Sequence, residues 1–184
     1  MMADAKKTIM LLGDSLAEWG DWAVLLPELD VINRGKAGEC VEELSARLAD
    51  ELDTMPEPDF LLLMSGTNNL LMGSPHFTAV FQTMLPRVAA LCPGSRIVVN
   101  GIMPMRCCGL TADLLGAVNK ELQAYAERSG CAFLDMTEPF AASCLPVTRP
   151  CFLHDGVHLS TLGYQVWARE IRNLTAAATF SSRH

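Results

Sequence analysis

The chain has 184 residues, about the length of one domain with its loops, so a single unit over 1–184 is expected. Half of its residues are hydrophobic and 19% are charged, which excludes disordered and fibrous classes. Fourteen Lys and Arg against 21 Asp and Glu leave a net charge of −7 and no basic stripe for a phosphate backbone, so no nucleic-acid partner is expected.

Short apolar runs rich in β formers alternate with longer segments whose apolar residues recur at helical spacing. In chain order this pattern predicts a strand over 8–12, a helix over 18–26, a strand over 31–33 and a helix over 41–52. It continues with a strand over 60–64, a helix over 78–91, a strand over 97–100, a helix over 112–129, a strand over 132–135 and a last helix over 162–177. Strands that are apolar nearly throughout are covered on both faces, so the expected fold class is α/β, a three-layer α/β/α sandwich around a parallel sheet. Pro56 and Pro58 stop the second helix, Pro93-Gly94 ends the third and Gly130 sits where a C′ glycine ends the fourth. Pro86 falls inside the third helix, where a missing backbone donor can kink it.

The longest uninterrupted apolar run, Phe60–Met64, is far below the roughly 18 to 20 residues that span a bilayer. Lys6-Lys7 followed by Ile9–Leu12 is too short an apolar run for a signal peptide, so the expected location is cytoplasmic. Seven cysteines, an odd number with no C-x-x-C, are expected to be reduced thiols; the vicinal Cys107-Cys108 is taken as structural.

Ligands of open parallel sheets bind just beyond the carboxyl ends of the strands. Three strand-end loops carry chemistry: Gly13-Asp14-Ser15, Asn33-Arg34-Gly35-Lys36-Ala37-Gly38 and Gly66-Thr67-Asn68-Asn69; a fourth, Asp155-Gly156-Val157-His158, precedes the last helix. A serine hydroxyl needs a base to take its proton, and the base needs a third group to hold its tautomer. Of four histidines, His184 is terminal and His76 has no carboxylate close by in sequence. His158 has Asp155 three residues earlier, close enough for the carboxylate to curl back to the imidazole, so His158 is taken as base and Asp155 as its orienter. His154 and His158 are also four apart, as in a helical zinc pair, but the motif's glutamate is missing and Gly156 opposes a helix. No metal is expected.

Gly13-Asp14-Ser15-Leu16, Gly38, Gly66-Thr67-Asn68-Asn69 and Asp155-x-x-His158, in this order, resemble the four blocks of the SGNH, or GDSL-like, hydrolases. The Asn33-x-Gly35-x-x-Gly38 spacing and the Leu159-x-x-x-Gly163-Tyr164 run look like the small acylhydrolases related to platelet-activating-factor acetylhydrolase. The resemblance implies a flavodoxin-like five-stranded parallel sheet of order 2-1-3-4-5, with Ser15 as nucleophile, His158 as base and Asp155 as third member. It also implies an oxyanion hole made by the Ser15 and Gly38 backbone N–H groups and the Asn68 side-chain amide, and no cofactor. Preorganised donors of this kind are what a tetrahedral oxyanion needs, and glycine lets its backbone approach. Asn69 stands where the family often has aspartate.

The flanking residues are mostly apolar, and Leu16, Trp19, Leu70, Met103 and Met105 are the candidate substrate contacts. Arg106, in the loop after the fourth strand, is taken as a solvated side chain, although it could meet a phosphate or carboxylate. Short loops leave little room for a lid, which disfavours lipase action on triglyceride droplets. The expected partner is therefore a small-molecule substrate, a small or single-chain acyl ester or thioester. A carbohydrate O-acetyl esterase is the alternative on the same site. A flavodoxin-like binding module is the alternative of another class, and neither G-x-G-x-x-G nor the P-loop pattern is present to favour it.

Overall fold

The structure, a computed structural model, describes residues 5–107, 109–144 and 151–181. Cys108 and His184 therefore lie outside the described residues. Five strands, β1 (Lys7–Gly13), β2 (Leu29–Gly35), β3 (Phe60–Met64), β4 (Arg96–Asn100) and β5 (Ala132–Leu134), form one parallel sheet of order β2-β1-β3-β4-β5. The crossovers are made by α1 (Ser15–Glu18), α2 (Trp22–Leu25), α3 (Val41–Asp53), α4 (Thr67–Leu71), α5 (Thr78–Leu91) and α6 (Ala112–Arg128), and α7 (Thr137–Cys144) and α8 (Thr161–Ser181) follow the last strand.

Alternation along the strands divides the core in two. Met10, Leu12, Leu61 and Leu63 face a layer built with α3, α5 and α6, whereas Ile9, Leu11, Phe60, Leu62 and Met64 face one built with α1, α2, α7 and α8. All five residues of β3 are buried, as a central strand covered on both faces requires. The α/β/α architecture and the strand order are thus those expected. Among the described residues no helix is long and apolar enough to cross a membrane.

Three local differences follow from particular contacts. The helix expected over 18–26 is two short helices, because the chain turns at Gly20, where any Cβ would run into the Trp22 indole. Trp22 is buried, packs edge-on against Trp167 at 5.0 Å between ring centroids and donates its N–H to the Ala17 carbonyl at 2.7 Å. That indole bond and the Tyr164 hydroxyl on the Leu16 carbonyl at 3.1 Å hold α1, which is too short to be stable alone. Second, α4 and α7 are five- and eight-residue helices with no long apolar period to announce them. Third, the expectation of reduced thiols fails at Cys144 and Cys151, which form a disulfide with Cα atoms 5.6 Å apart. The pair is seven residues apart in sequence, and its closeness arises where the end of α7 meets the loop before α8. Pro86 lies within α5 without ending it.

Candidate active site

Ser15 opens α1 at the sharp turn after β1 and is 7% exposed. The Asp14 side chain caps this turn, accepting the Leu16 N–H at 3.0 Å, while the Asp14 carbonyl accepts from Ala17 and Glu18. Gly13 is required here, since a Cβ would collide with the Met64 carbonyl of β3. The loop after β2 is bound to the same turn. Asn33 donates to the Glu18 carbonyl at 3.0 Å and accepts the Gly35 N–H at 3.0 Å, and the Gly35 position leaves no space for a side chain against the α1 backbone. Gly38 has φ +79°, a backbone state that glycine adopts without strain.

Asn68 lies in the first turn of α4 and donates one of its two amide hydrogens to the Glu39 carbonyl at 2.9 Å, which joins the loops after β2 and β3. Glu39 is itself buried and held by the Arg47 guanidinium, at 2.5 and 2.7 Å, while Arg47 also donates to the Arg34 carbonyl at 2.8 Å and pairs with Glu51. Such a planar fork fixes the loop more tightly than a point charge would. Asn69 accepts the Val41 N–H at 3.0 Å and donates to the Glu42 carboxylate at 2.7 Å. An aspartate here would face Glu42 with like charge, which gives the departure at Asn69 a physical reason.

Asp155 and His158 sit at the turn of a small hairpin. Phe152 and Leu159 pair antiparallel, the Leu153 N–H meets the His158 carbonyl at 2.7 Å, and the Ser160 N–H meets the Cys151 carbonyl at 2.9 Å. The Cys144–Cys151 disulfide ties its first strand to α7. Gly156, with φ +71°, approaches so close to the Arg106 carbonyl that no Cβ fits, and its own carbonyl accepts the Arg106 N–H at 2.8 Å. Gly163 meets the Cys151 carbonyl in the same way, and Tyr164 is the residue that bonds to Leu16, so the Leu159-x-x-x-Gly163-Tyr164 run joins the hairpin to α1.

Across these loops Ser15 Oγ lies 3.1 Å from His158 Nε2, and His158 Nδ1 lies 2.7 Å from Asp155 Oδ2. The other Asp155 oxygen accepts the Val157 and His158 N–H groups, both at 2.9 Å. The His158 ring and these amides hold the Asp155 carboxyl down at about 2, so it is an anion at neutral pH. A hydroxyl, an imidazole and a carboxylate in this order can pass a proton from oxygen to ring while the anion steadies the resulting cation. Among the described residues no group of three His, Cys, Asp or Glu side chains could hold a metal ion.

The candidate substrate contacts separate by exposure. Leu16, Leu70 and Met103 are buried in the two cores, and Met105 is buried against a neighbouring cavity. Trp19 is 54% exposed and stacks on the His158 ring, with centroids 4.3 Å apart and 24° between planes. His154 is exposed at the hairpin, and Cys151 is sequestered in its disulfide.

Sequence reasoning missed Asp14 as a buried acid. It is wholly buried, and desolvation, opposed by the Leu16 N–H, pushes its carboxyl up to about 6. The Thr67 side chain, a second hydrogen-bond donor to this carboxyl, opposes the same rise. An acid raised from 3.8 to about 6 loses stability as pH climbs through that interval. Asp14→Asn keeps the acceptor for Leu16 and removes the buried charge. It is expected to stabilise the protein by up to about 3 kcal/mol at pH 8, with the gain fading towards pH 4. Thermal melts of both proteins across that range check this, and a variant less stable at pH 8 would contradict the assignment.

The chain is similar in sequence to platelet-activating factor acetylhydrolase IB subunit alpha1 of Rattus norvegicus, with 26% identity over 93% of this chain and 76% of that protein. Among solved structures it is similar to LAE5, an alpha/beta hydrolase enzyme from the metagenome of Lake Arreo, with TM-score 0.75, 19% identity and coverage of 94% and 96% of the two chains. It is also similar to an acetylxylan esterase from Geobacillus stearothermophilus, with TM-score 0.73, 16% identity and coverage of 94% and 95%. These two likenesses concern the fold. The model of the GDSL-like lipase/acylhydrolase family matches residues 11–166, which carry all four polar loops, and the chain belongs to that family.

Proposed function

We propose that this chain is a metal-independent serine esterase, with Ser15 as nucleophile, His158 as general base and Asp155 as the group that orients and steadies the imidazole. The observation that carries this reading is the hydroxyl–imidazole–carboxylate relay at 3.1 and 2.7 Å, whose serine and histidine are 143 residues apart in sequence. In it, Ser15 Oγ attacks the acyl carbon as its proton passes to His158 Nε2. The tetrahedral oxyanion is held by the Ser15 and Gly38 backbone N–H groups and by the Asn68 amide hydrogen that Glu39 does not engage. Collapse expels the alcohol with the proton from His158, and water then repeats the sequence on the acyl-enzyme.

Trp19 forms the exposed wall beside the imidazole, where it keeps the ring in plane and offers an apolar surface to a bound ester. The acyl groups favoured are small or single-chain, and acetyl esters are the first class to try. The similar proteins named for acetylhydrolase and acetylxylan esterase activity make an O-acetyl sugar the second reading.

The test is hydrolysis of p-nitrophenyl esters from acetate to decanoate with EDTA present, alongside acetylated xylose. Metal-independent turnover of any of these supports the reading, and turnover that EDTA abolishes overturns it. Asn68→Ala is expected to lower kcat about a hundredfold or more with little change in KM, because one oxyanion donor is lost. An effect confined to KM would move Asn68 from the oxyanion to substrate binding.

A further inference from the structure

Beside the hairpin lies a cavity of about 630 Å³ that the chemistry above does not use. Neither Ser15, Gly38, Asn68 nor His158 lines it. Its walls come from the loop after β4, the first half of α6, α7 and the first strand of the hairpin, with Ile102, Met105, Leu115, Phe140 and Phe152 supplying the apolar surface. The volume lies within the range of small-ligand sites, roughly 300 to 1,000 Å³.

Charge narrows the choice of ligand. Among the described lining residues Arg106 is the one charged side chain and no carboxylate is present, in a chain whose net charge is −7. Arg106 is exposed at the end nearest Gly156, and its guanidinium makes no ion pair with a described residue. An apolar chamber with a lone cation at one end suits an amphiphile whose chain is buried and whose anion meets a guanidinium. We propose that this cavity is a binding site for a single unbranched alkyl chain ending in an anion, a carboxylate or a phosphate, with Arg106 at the head and the chain lying between α6 and α7. The ligand shares the hairpin with the Ser15 site, since Gly156 lines the cavity and stands between Asp155 and His158. Binding in this cavity does not need Ser15 to be the nucleophile, and only the covalent block of Ser15 used below rests on that reading.

Gly116 gives a clean test. It lines the cavity from within α6, and a Cβ built there meets no atom within 4 Å, so leucine enters open space while being the better helix former. Isothermal titration with decanoate, decyl phosphate and decanol, below their aggregation concentrations, is run on wild type, Gly116→Leu and Arg106→Gln. Wild type is expected to bind at least one of the two anions more tightly than decanol, and the stronger of the two identifies the headgroup. Gly116→Leu is expected to lose tenfold or more for that anion, with a melting temperature no lower than wild type. Arg106→Gln is expected to lose its preference for anion over decanol. Blocking Ser15 with a covalent phosphonate is expected to leave anion binding intact. No binding to wild type, equal binding by Gly116→Leu, or loss of binding on blocking Ser15 would each overturn the proposal.

Discussion

Ser15→Ala is expected to lower kcat on p-nitrophenyl acetate by about four to six orders of magnitude, leaving only the background that oxyanion donors and binding supply. The magnitude follows from what the hydroxyl does in the proposed chemistry. It is the atom that forms the covalent bond, and no other hydroxyl is shown bonded to the His158 ring among the described residues. The change removes one oxygen at a position with a single side-chain hydrogen bond, so the melting temperature should stay within a few degrees of wild type. Progress curves with enzyme at high concentration, paired with a thermal melt, measure both. Turnover within tenfold of wild type by a folded variant would move the nucleophile elsewhere.

The second large effect is at Asp155, where Asn is expected to cost about 10³ to 10⁴ in kcat. One carboxylate oxygen is engaged by the Val157 and His158 amides, so an asparagine oxygen would stay on those donors and its NH₂ would turn to Nδ1. Nδ1 must then accept, the ring proton moves to Nε2, and Nε2 can no longer take the proton from Ser15. The deficit should persist from pH 5 to 8, because the wild-type carboxyl sits at about 2 and remains ionised throughout. The stability contributed by this depressed group is present above its ordinary value of 3.8 and is lost only as pH falls towards about 2. Rates of the two proteins across that range check the claim. A deficit that vanished at pH 8 would contradict the tautomer account.

The strands and the polar loops could be read from the chain because their signals are local. Apolar runs such as Phe60–Met64 mark strands buried on both faces, and glycines at 13, 35, 38 and 156 mark places where backbone must approach backbone or take a positive φ. The strand order came from resemblance to a family, since nothing in periodicity says which strand neighbours which. What stayed hidden depends on contacts between distant segments. Asp14 looks like an ordinary helix cap, and only the folded chain, which brings Thr67 of α4 and the loops carrying Glu39 and His158 to it, makes it a buried acid. The Arg47 fork on Glu39 joins a helix interior to a loop, and the Cys144–Cys151 bond depends on how α7 meets the hairpin. Leu70 follows a polar loop and Met103 a strand end, yet both point into the core, because loop residues next to a site must also seal it from beneath. Trp19 is exposed because α1 ends after a single turn, which the helix expected over 18–26 concealed.

Covalent capture of the nucleophile tests the central claim most directly. The protein is treated with a fluorophosphonate, digested, and the adduct located by peptide mass spectrometry. The account predicts one stoichiometric adduct on Ser15, lost in Ser15→Ala and slowed by about 10³ or more in Asp155→Asn. An unlabelled Ser15, or an adduct on another residue that accompanies loss of activity, would contradict it.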